Sequence, residues 1–147
     1  RPHQPVDFSS GVICLPSNFA GLPATTTKEI RSTHLASYEQ WQAIAADRRA
    51  YAALKLQSAE RSRMVLEAIV GNFSQAIVFQ DTFTPLTIER FTAKKEGAIY
   101  GNPQKIKDGD LGYDNLFLAG TDQGFLGIIG SMLSGVSMVN QHILNKI

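Results

Sequence analysis

The residues best suited to chemistry lie in one stretch of the chain, between Asn115 and Gly135. An apolar run ends there in Ala119-Gly120, Asp122 follows, and glycines at positions 124, 127 and 130 open a helical pattern. In open α/β sheets, ligands bind where the carboxyl end of a strand passes to the N-terminus of a helix. Asp122 lies at this transition, and the glycines allow backbone to approach a ligand. Small residues equally permit tight packing of a helix on a sheet, so the spacing alone leaves both alternatives open.

Other catalytic groupings are not readable from spacing. The segment Gly130 to Gly135 does not meet the Gly-x-Ser-x-Gly pattern of a serine nucleophile. His3, His34 and His142 are far apart, and no cluster of Cys and His has metal-ligand spacing, so we expect no metal. The single cysteine, Cys14, excludes an internal disulfide.

Composition places the chain among ordinary globular proteins. It has 147 residues, of which 44% are hydrophobic and 18% charged, enough for one domain with a core. The net charge of +1 favours no nucleic-acid partner. The N-terminal residues show neither a signal-peptide pattern nor an initiator Met, so we expect a processed product or an excised piece.

One window raises the question of a membrane span, because no Asp, Glu, Lys or Arg occurs from Gln123 to Leu144. A span needs about 20 mainly apolar residues. This window contains glycines, serines and the polar triplet Asn140-Gln141-His142. We therefore expect a buried helix of a soluble protein rather than a span.

In the first half, strands are expected at Phe8–Pro16 and near Glu29–Leu35. A long helical region follows, with Ser37 as its cap, a break at Ala46-Asp47 and a stop at Gly71. Its apolar stripe is predicted to run from Tyr51 through Leu66 to Ile69, and the charged side chains form a solvated face.

In the second half, a strand is expected at Gln75–Asp81, and a short helix capped by Thr84 starts at Pro85. A long loop, Ala93 to Asp114, is of a kind that is often functional. The run Asn115 to Ala119 reads as a final strand buried on both faces, as in a parallel sheet. A closing helix is expected from about Gly127 to Leu144.

Three motifs in order resemble the C-terminal part of the phytoene desaturase family. They are Asp81-Thr82-Phe83-Thr84-Pro85 with the residues to Thr92, then Gly97-Ala98-Ile99-Tyr100-Gly101, then Asn115 to Asp122. That family includes carotenoid isomerases and retinol saturases, within the flavin amine-oxidase-like superfamily. The resemblance covers most of the chain from Ser37 to Ile147.

The resemblance implies an α/β fold, in an α+β mixture. Residues 75–147 would be the C-terminal half of a Rossmann-like FAD-binding domain, with its last strand and closing helix. Residues 1–74 would be a helical, substrate-side region. The family's Gly-x-Gly-x-x-Gly turn lies in an N-terminal half, and this sequence has no such turn. FAD is therefore expected only together with that half, supplied by the same enzyme or by a separate chain.

The same resemblance implies the site residues. Asp122 would bind the ribityl or pyrophosphate side of FAD, with Gly120 and Thr121 beside it. Gly127, Ile128, Ile129 and Gly130 would bring backbone N–H groups to the flavin ring, where the positive end of a helix favours an anionic reduced flavin. The Thr84 and Gly97–Gly101 motifs would lie near the ring and the substrate channel.

The implied activity is FAD-dependent oxidation, reduction or isomerisation at C–C bonds of an apolar, isoprenoid or carotenoid-like substrate. No residue is an obvious general base, which suits flavin-centred chemistry. The expected location is the cytoplasm, with or without contact to a membrane surface. The alternatives are a non-catalytic binding or assembly module derived from this fold and, with less support, a small carrier of apolar ligands.

Overall fold

A computed structural model describes residues 4–146 of the chain. These residues form a mixed α/β protein with four α-helices and one two-stranded antiparallel sheet. By their contacts they fall into two compact units, the first ending at Thr87 and the second beginning at Ile88. The functional boundary expected between residues 74 and 75 stays a prediction.

The sheet belongs to the first unit and pairs β1 (Val6–Cys14) with β2 (Arg31–Ala36). Both strands were expected from the sequence, and their presence is confirmed. The register shifts between Asp7 and Val12, so β1 bulges away from its partner. Gly11 lies in this bulge, where a Cβ would stand 2.7 Å from the Thr33 carbonyl oxygen and 2.9 Å from His34 Nδ1. A larger residue would therefore push β1 away from β2.

Two helices follow, α1 (Tyr38–Ala43) and α2 (Arg48–Val70), and their ends match the sequence signals. Ser37 Oγ accepts from Gln40 N at 3.4 Å. Asp47 Oδ1 accepts from Arg49 N and Ala50 N at 2.9 and 3.0 Å, which caps α2. Gly71 ends α2 with φ +93°, a left-handed conformation that favours glycine.

The core of the first unit is small and centres on Trp41, which is 2% exposed. Its ring lies edge-on to Tyr51 at 5.5 Å, and its Nε1 donates to the Pro5 carbonyl oxygen at 3.2 Å. The predicted stripe on α2 is buried at Ser58, Ala59 and Leu66. Ile69, expected on that stripe, is 64% exposed, so its expected burial is wrong.

A short helix, α3 (Pro85–Thr92), begins as the sequence predicts. The buried Thr84 hydroxyl accepts from Thr87 N at 3.2 Å and contacts the Tyr51 hydroxyl at 2.6 Å. The Tyr51 contact joins α2 to the start of α3 within the first unit.

The second unit contains α4 (Gly127–His142), close to the predicted closing helix. Only Ser134 and Met138 of α4 are buried. The expectation of a buried helix is therefore wrong for most of its length in this structure. Its apolar side chains lie instead on an exposed face, which we call the α4 apolar face: Ile128, Ile129, Met132, Leu133, Val136 and Val139.

Two expected strands do not form among the described residues. The segment 75–81 contains one turn of 3-10 helix, Ser74–Ala76, followed by irregular backbone in which Val78 and Phe79 are more than 80% exposed. The segment 115–119 makes only an isolated antiparallel bridge, between Phe117 and Asp110. A strand needs a neighbour for its N–H and C=O groups, and no described strand lies beside either segment. The expected parallel sheet is thus not formed by residues 4–146.

Candidate functional site

Asp122 receives donors from two segments that precede it by 20 and 28 residues. Lys94 Nζ lies 2.7 Å from Asp122 Oδ2 and forms an ion pair with it. The backbone N–H of Asn102 donates to Asp122 Oδ1, also at 2.7 Å. The main chain of Asp122 takes part as well, because its carbonyl oxygen accepts from Ile106 N at 3.1 Å. The predicted acidic residue therefore organises the loop that carries the Gly97–Gly101 motif.

A second lysine reinforces this arrangement. Lys105 Nζ donates to the carbonyl oxygens of Tyr100 and Thr121, at 2.6 and 2.9 Å. Gly101 lies between these contacts with φ +77°, and a Cβ there would overlap the Asp122 carboxylate. A glycine is required at this position both for its conformation and for the close approach of the carboxylate.

These contacts lower the pKa of the Asp122 carboxyl below its usual value. The hydrogen bond from Lys94 is the largest cause, and the backbone N–H of Asn102 is the next. Both donors stabilise the ionised form more than the neutral acid. Asp122 is therefore a carboxylate at neutral pH, with one donor on each oxygen.

An open depression of about 590 Å³ lies beside this cluster, within the second unit. Its lining is mainly apolar and includes hydroxyl-bearing residues: Ile99, Tyr100, Thr121, Gly127, Ile128, Ser131 and Met132. The Gly97–Gly101 motif, the Thr121–Asp122 pair and the start of α4 thus meet at one place in the structure.

The predicted glycines of α4 divide between two roles. Gly127 has φ +75° and a Cβ there would meet nothing within 4 Å, so the turn into the helix sets its conformation. At Gly130 a Cβ would stand 3.0 Å from the Phe125 carbonyl carbon. The backbone of Phe125 therefore leaves little space for a side chain at Gly130, and the approach of a ligand to this residue stays a prediction. Ile128 and Ile129 are exposed, at 84% and 74%.

Ser134 of α4 stabilises the turn that precedes this helix. The Ser134 hydroxyl accepts from Gly120 N at 2.7 Å and donates to Gln123 Oε1. Gln123 Nε2 in turn donates to the Lys107 carbonyl oxygen at 2.8 Å. Ser134 and Gln123 are both almost fully buried, at 0% and 3% exposure. Gly120 is thereby fixed, while Thr121 and Asp122 face the loop.

Sequence reasoning missed four residues of this site: Lys94, Lys105, Gln123 and Ser134. The lysines sit in a polar loop with other charges, where a solvated role is the default interpretation. Ser134 had one usable signal, because it lies one turn after Gly130 on the small-residue side of the closing helix.

The group that the resemblance implies here is FAD, and the residues present fit a part of it. The first turn of α4 has no side-chain cap, so its N–H groups are open to an acceptor. Each Asp122 oxygen retains the capacity to accept a second donor, such as a hydroxyl, because a carboxylate offers about four acceptor sites. The apolar lining suits one face of a flat aromatic ring.

The first unit contains a serine–histidine contact that spacing had not suggested. His34 Nε2 lies 2.8 Å from Ser62 Oγ, and His34 Nδ1 lies 3.1 Å from the Ser10 carbonyl oxygen. Ser62, His34 and the Ser10 carbonyl oxygen are connected in the order of nucleophile, base and orienting group that an activated serine needs. Ser62 is in the middle of α2, however, where the backbone N–H groups are used within the helix and cannot stabilise an oxyanion. We assign the contact to the attachment of α2 to β2.

Residues 4–146 contain no group of three or more His, Cys, Asp or Glu arranged to hold a metal ion. Over the same residues, no helix has both the length and the apolar character needed to cross a membrane. Comparisons of the chain with protein-family models, with curated proteins and with solved structures gave no match.

Proposed function

We propose that this chain is the C-terminal portion of an FAD-dependent oxidoreductase that acts on C–C bonds of an apolar, isoprenoid-like substrate. The proposal rests on the resemblance of its three motifs to the phytoene desaturase family. The structural observation that carries it is the meeting of two of those motifs at the first turn of α4. The loop Gly97–Gly101 and the pair Thr121–Asp122 are far apart in sequence, yet Lys105 and Asp122 join them.

In this proposal each part of the site has a separate task. FAD supplies the redox chemistry when bound. The N–H groups of Ile128 and Ile129 offer donors and a partial positive charge to the polar edge of the ring, whereas the Gly130 N–H is already bonded within the helix. Ile99, Ile128 and Met132 contribute apolar surface that excludes water. Asp122 accepts a hydroxyl donor while it keeps its two protein partners.

The α4 apolar face supports the part of the proposal that says another half of the FAD-binding domain is needed. Ile128, Ile129 and Met132 are each more than two-thirds exposed on a helix that carries no Asp, Glu, Lys or Arg. Contiguous exposed apolar surface of this kind marks an interaction site. A second half of an FAD-binding domain would cover it.

The test is co-expression with an N-terminal half that carries a Gly-x-Gly-x-x-Gly turn. The purified complex is expected to show the visible absorption of oxidised flavin. The Asp122→Ala variant should retain less flavin than the parent, because a charge-assisted hydrogen bond contributes about 1.5–3 kcal/mol. Asp114→Ala, at an exposed loop carboxylate, is the matched control and should retain flavin as the parent does. A folded, associated complex without flavin would overturn the proposal.

The alternative, a non-catalytic binding or assembly module, draws on the same exposed helix. It predicts association with a partner through the α4 apolar face and no flavin in the complex. Met132→Glu, which places a charge on that face, would abolish association in either case. The flavin spectrum of the parent complex therefore separates the two hypotheses.

A further inference from the structure

Thr121 and Asp122 form hydrogen bonds with other residues of the second unit, among them Lys94, Asn102 and Lys105. The side chain of Asp122 binds Lys94 Nζ and Asn102 N, and the Thr121 carbonyl oxygen binds Lys105 Nζ. We call this set of contacts the Asp122 fastening. It fixes both ends of the Tyr100–Asn102 turn, since Lys105 Nζ also binds the Tyr100 carbonyl oxygen.

The fastening determines where Ile99 and Tyr100 lie. Both side chains line the depression opposite Gly127 and Ile128, and both are exposed, at 42% and 58%. Packing therefore holds them weakly. Backbone hydrogen bonds within the turn are short-range only: Gly101 N donates to Ala98 O, and Ile99 N donates to Gly97 O. Long-range attachment of the turn comes from the Asp122 carboxylate and Lys105, and just beyond the turn Ile106 N donates to the Asp122 carbonyl oxygen.

We propose that Lys94 is a positioning residue of this ligand site, which orients the Asp122 carboxylate and thereby holds the Tyr100–Asn102 turn against the first turn of α4. Lys94 does not line the depression, so it acts through Asp122 and, more weakly, through the Thr121 hydroxyl, which lies 3.5 Å from Lys94 Nζ. Its side chain is 39% exposed and that of Asp122 is 31% exposed, so solvent weakens the pair without removing it. The identity of the ligand rests on the proposed function, but the fastening is measurable without a ligand.

The direct test is hydrogen exchange of the Asn102 backbone amide, followed by NMR on the full chain. Lys94→Gln should accelerate this exchange about two- to fivefold, the range expected from losing a partly exposed ion pair. Asp122→Ala removes the acceptor itself and should accelerate it about tenfold or more. Lys94→Arg keeps the charge and should bring exchange back toward the parental rate.

The chain offers a matched control in Lys55, which pairs with Asp81 at 3.7 Å in the first unit. Lys55→Gln removes a comparable surface ion pair and should leave Asn102 exchange unchanged. A second readout is the pH titration of Asp122, observed through the Asn102 amide shift. Lys94→Gln should raise its midpoint, because the main donor that stabilises the carboxylate is lost.

The outcomes distinguish the role of Lys94 in the Asp122 fastening from the binding of flavin. Unchanged Asn102 exchange in both Lys94→Gln and Asp122→Ala would overturn the fastening, whatever the ligand. In the flavin-loaded complex, Lys94→Gln should weaken flavin affinity about two- to fivefold, and Lys55→Gln should not. A complex that binds no flavin would overturn the proposed function, while the exchange result would still decide the role of Lys94.

Discussion

The hydroxyl of Ser134 accepts a hydrogen bond from the backbone N–H of Gly120 at 2.7 Å, across 14 residues of sequence. Ser134 is fully buried, and the same hydroxyl donates to Gln123. The middle of α4 is thus attached to both ends of the turn that precedes the helix. Thr121 and Asp122, which the proposed function places at the ligand site, lie between these two attachments.

Ser134→Ala should destabilise the second unit. The substitution leaves the Gly120 N–H and the Gln123 amide oxygen without their partner in a buried place. Unsatisfied buried groups cost about 1–3 kcal/mol each, less whatever water recovers. Urea unfolding followed by circular dichroism measures the loss. Ser137→Ala, on the same helix but half-buried, is the control and should change the free energy of unfolding by less than about 0.5 kcal/mol.

Tyr51→Phe should weaken the connection between α2 and the start of α3. The Tyr51 hydroxyl lies 2.6 Å from the hydroxyl of Thr84, which is 2% exposed. Thr84 keeps Thr87 as a partner, so the loss should be near that of one neutral hydrogen bond, about 0.5–1.5 kcal/mol. Tyr113→Phe, at a ring that is 69% exposed, is the comparison. Equal effects of the two substitutions would contradict this role for Tyr51.

Helix boundaries were predictable from the sequence because the signals that set them are local. Ser37, Asp47 and Gly71 act on backbone groups within four residues of themselves. The pattern therefore contained the information needed to place α1 and α2. The strands β1 and β2 were likewise expected from local signals, but their antiparallel pairing was not predicted.

The segments 75–81 and 115–119 were expected to be strands, and local signals were not sufficient to predict them correctly. Apolar runs such as Ile77-Val78-Phe79 indicate a preference for extended structure, but a strand also requires a partner. Lys94 and Asp122 show the same limit for the site, because nothing local to Lys94 distinguishes it from its neighbour Lys95. Pairing over 28 residues depends on the fold. Asp122 could be selected as a candidate from its position in the sequence, and its partners could not.

Asp47→Ala should reduce the stability of the first unit by about 0.5–2 kcal/mol, the usual range for the loss of an N-cap. Its carboxylate accepts from Arg49 N and Ala50 N, two of the N–H groups that the first turn of α2 cannot satisfy by itself. Asp47→Ser keeps an acceptor and should recover most of the loss. Fluorescence of Trp41, the only tryptophan, reports unfolding of this unit. A Ser variant as unstable as the Ala variant would contradict capping as the cause.

Acid should weaken the second unit through Asp122. The pKa of this carboxyl is lowered in the folded protein, first by Lys94 and then by Asn102 N–H. A group whose folded pKa is depressed stabilises the fold above its unfolded pKa, here the usual value of 3.8. That contribution is lost as pH falls from this value through the lower folded pKa.

Asp122→Asn provides the measurement, because it removes the titrating group and keeps an amide oxygen for Asn102 N–H. The parent should be more stable than the variant at pH 6, and the difference in the free energy of unfolding should shrink at about pH 3 and below. Glu29 and Glu67 also have a lowered pKa, but they titrate equally in both proteins and cancel in the difference. A difference that stays constant from pH 6 to the acid limit would show that the charge of Asp122 does not stabilise the fold.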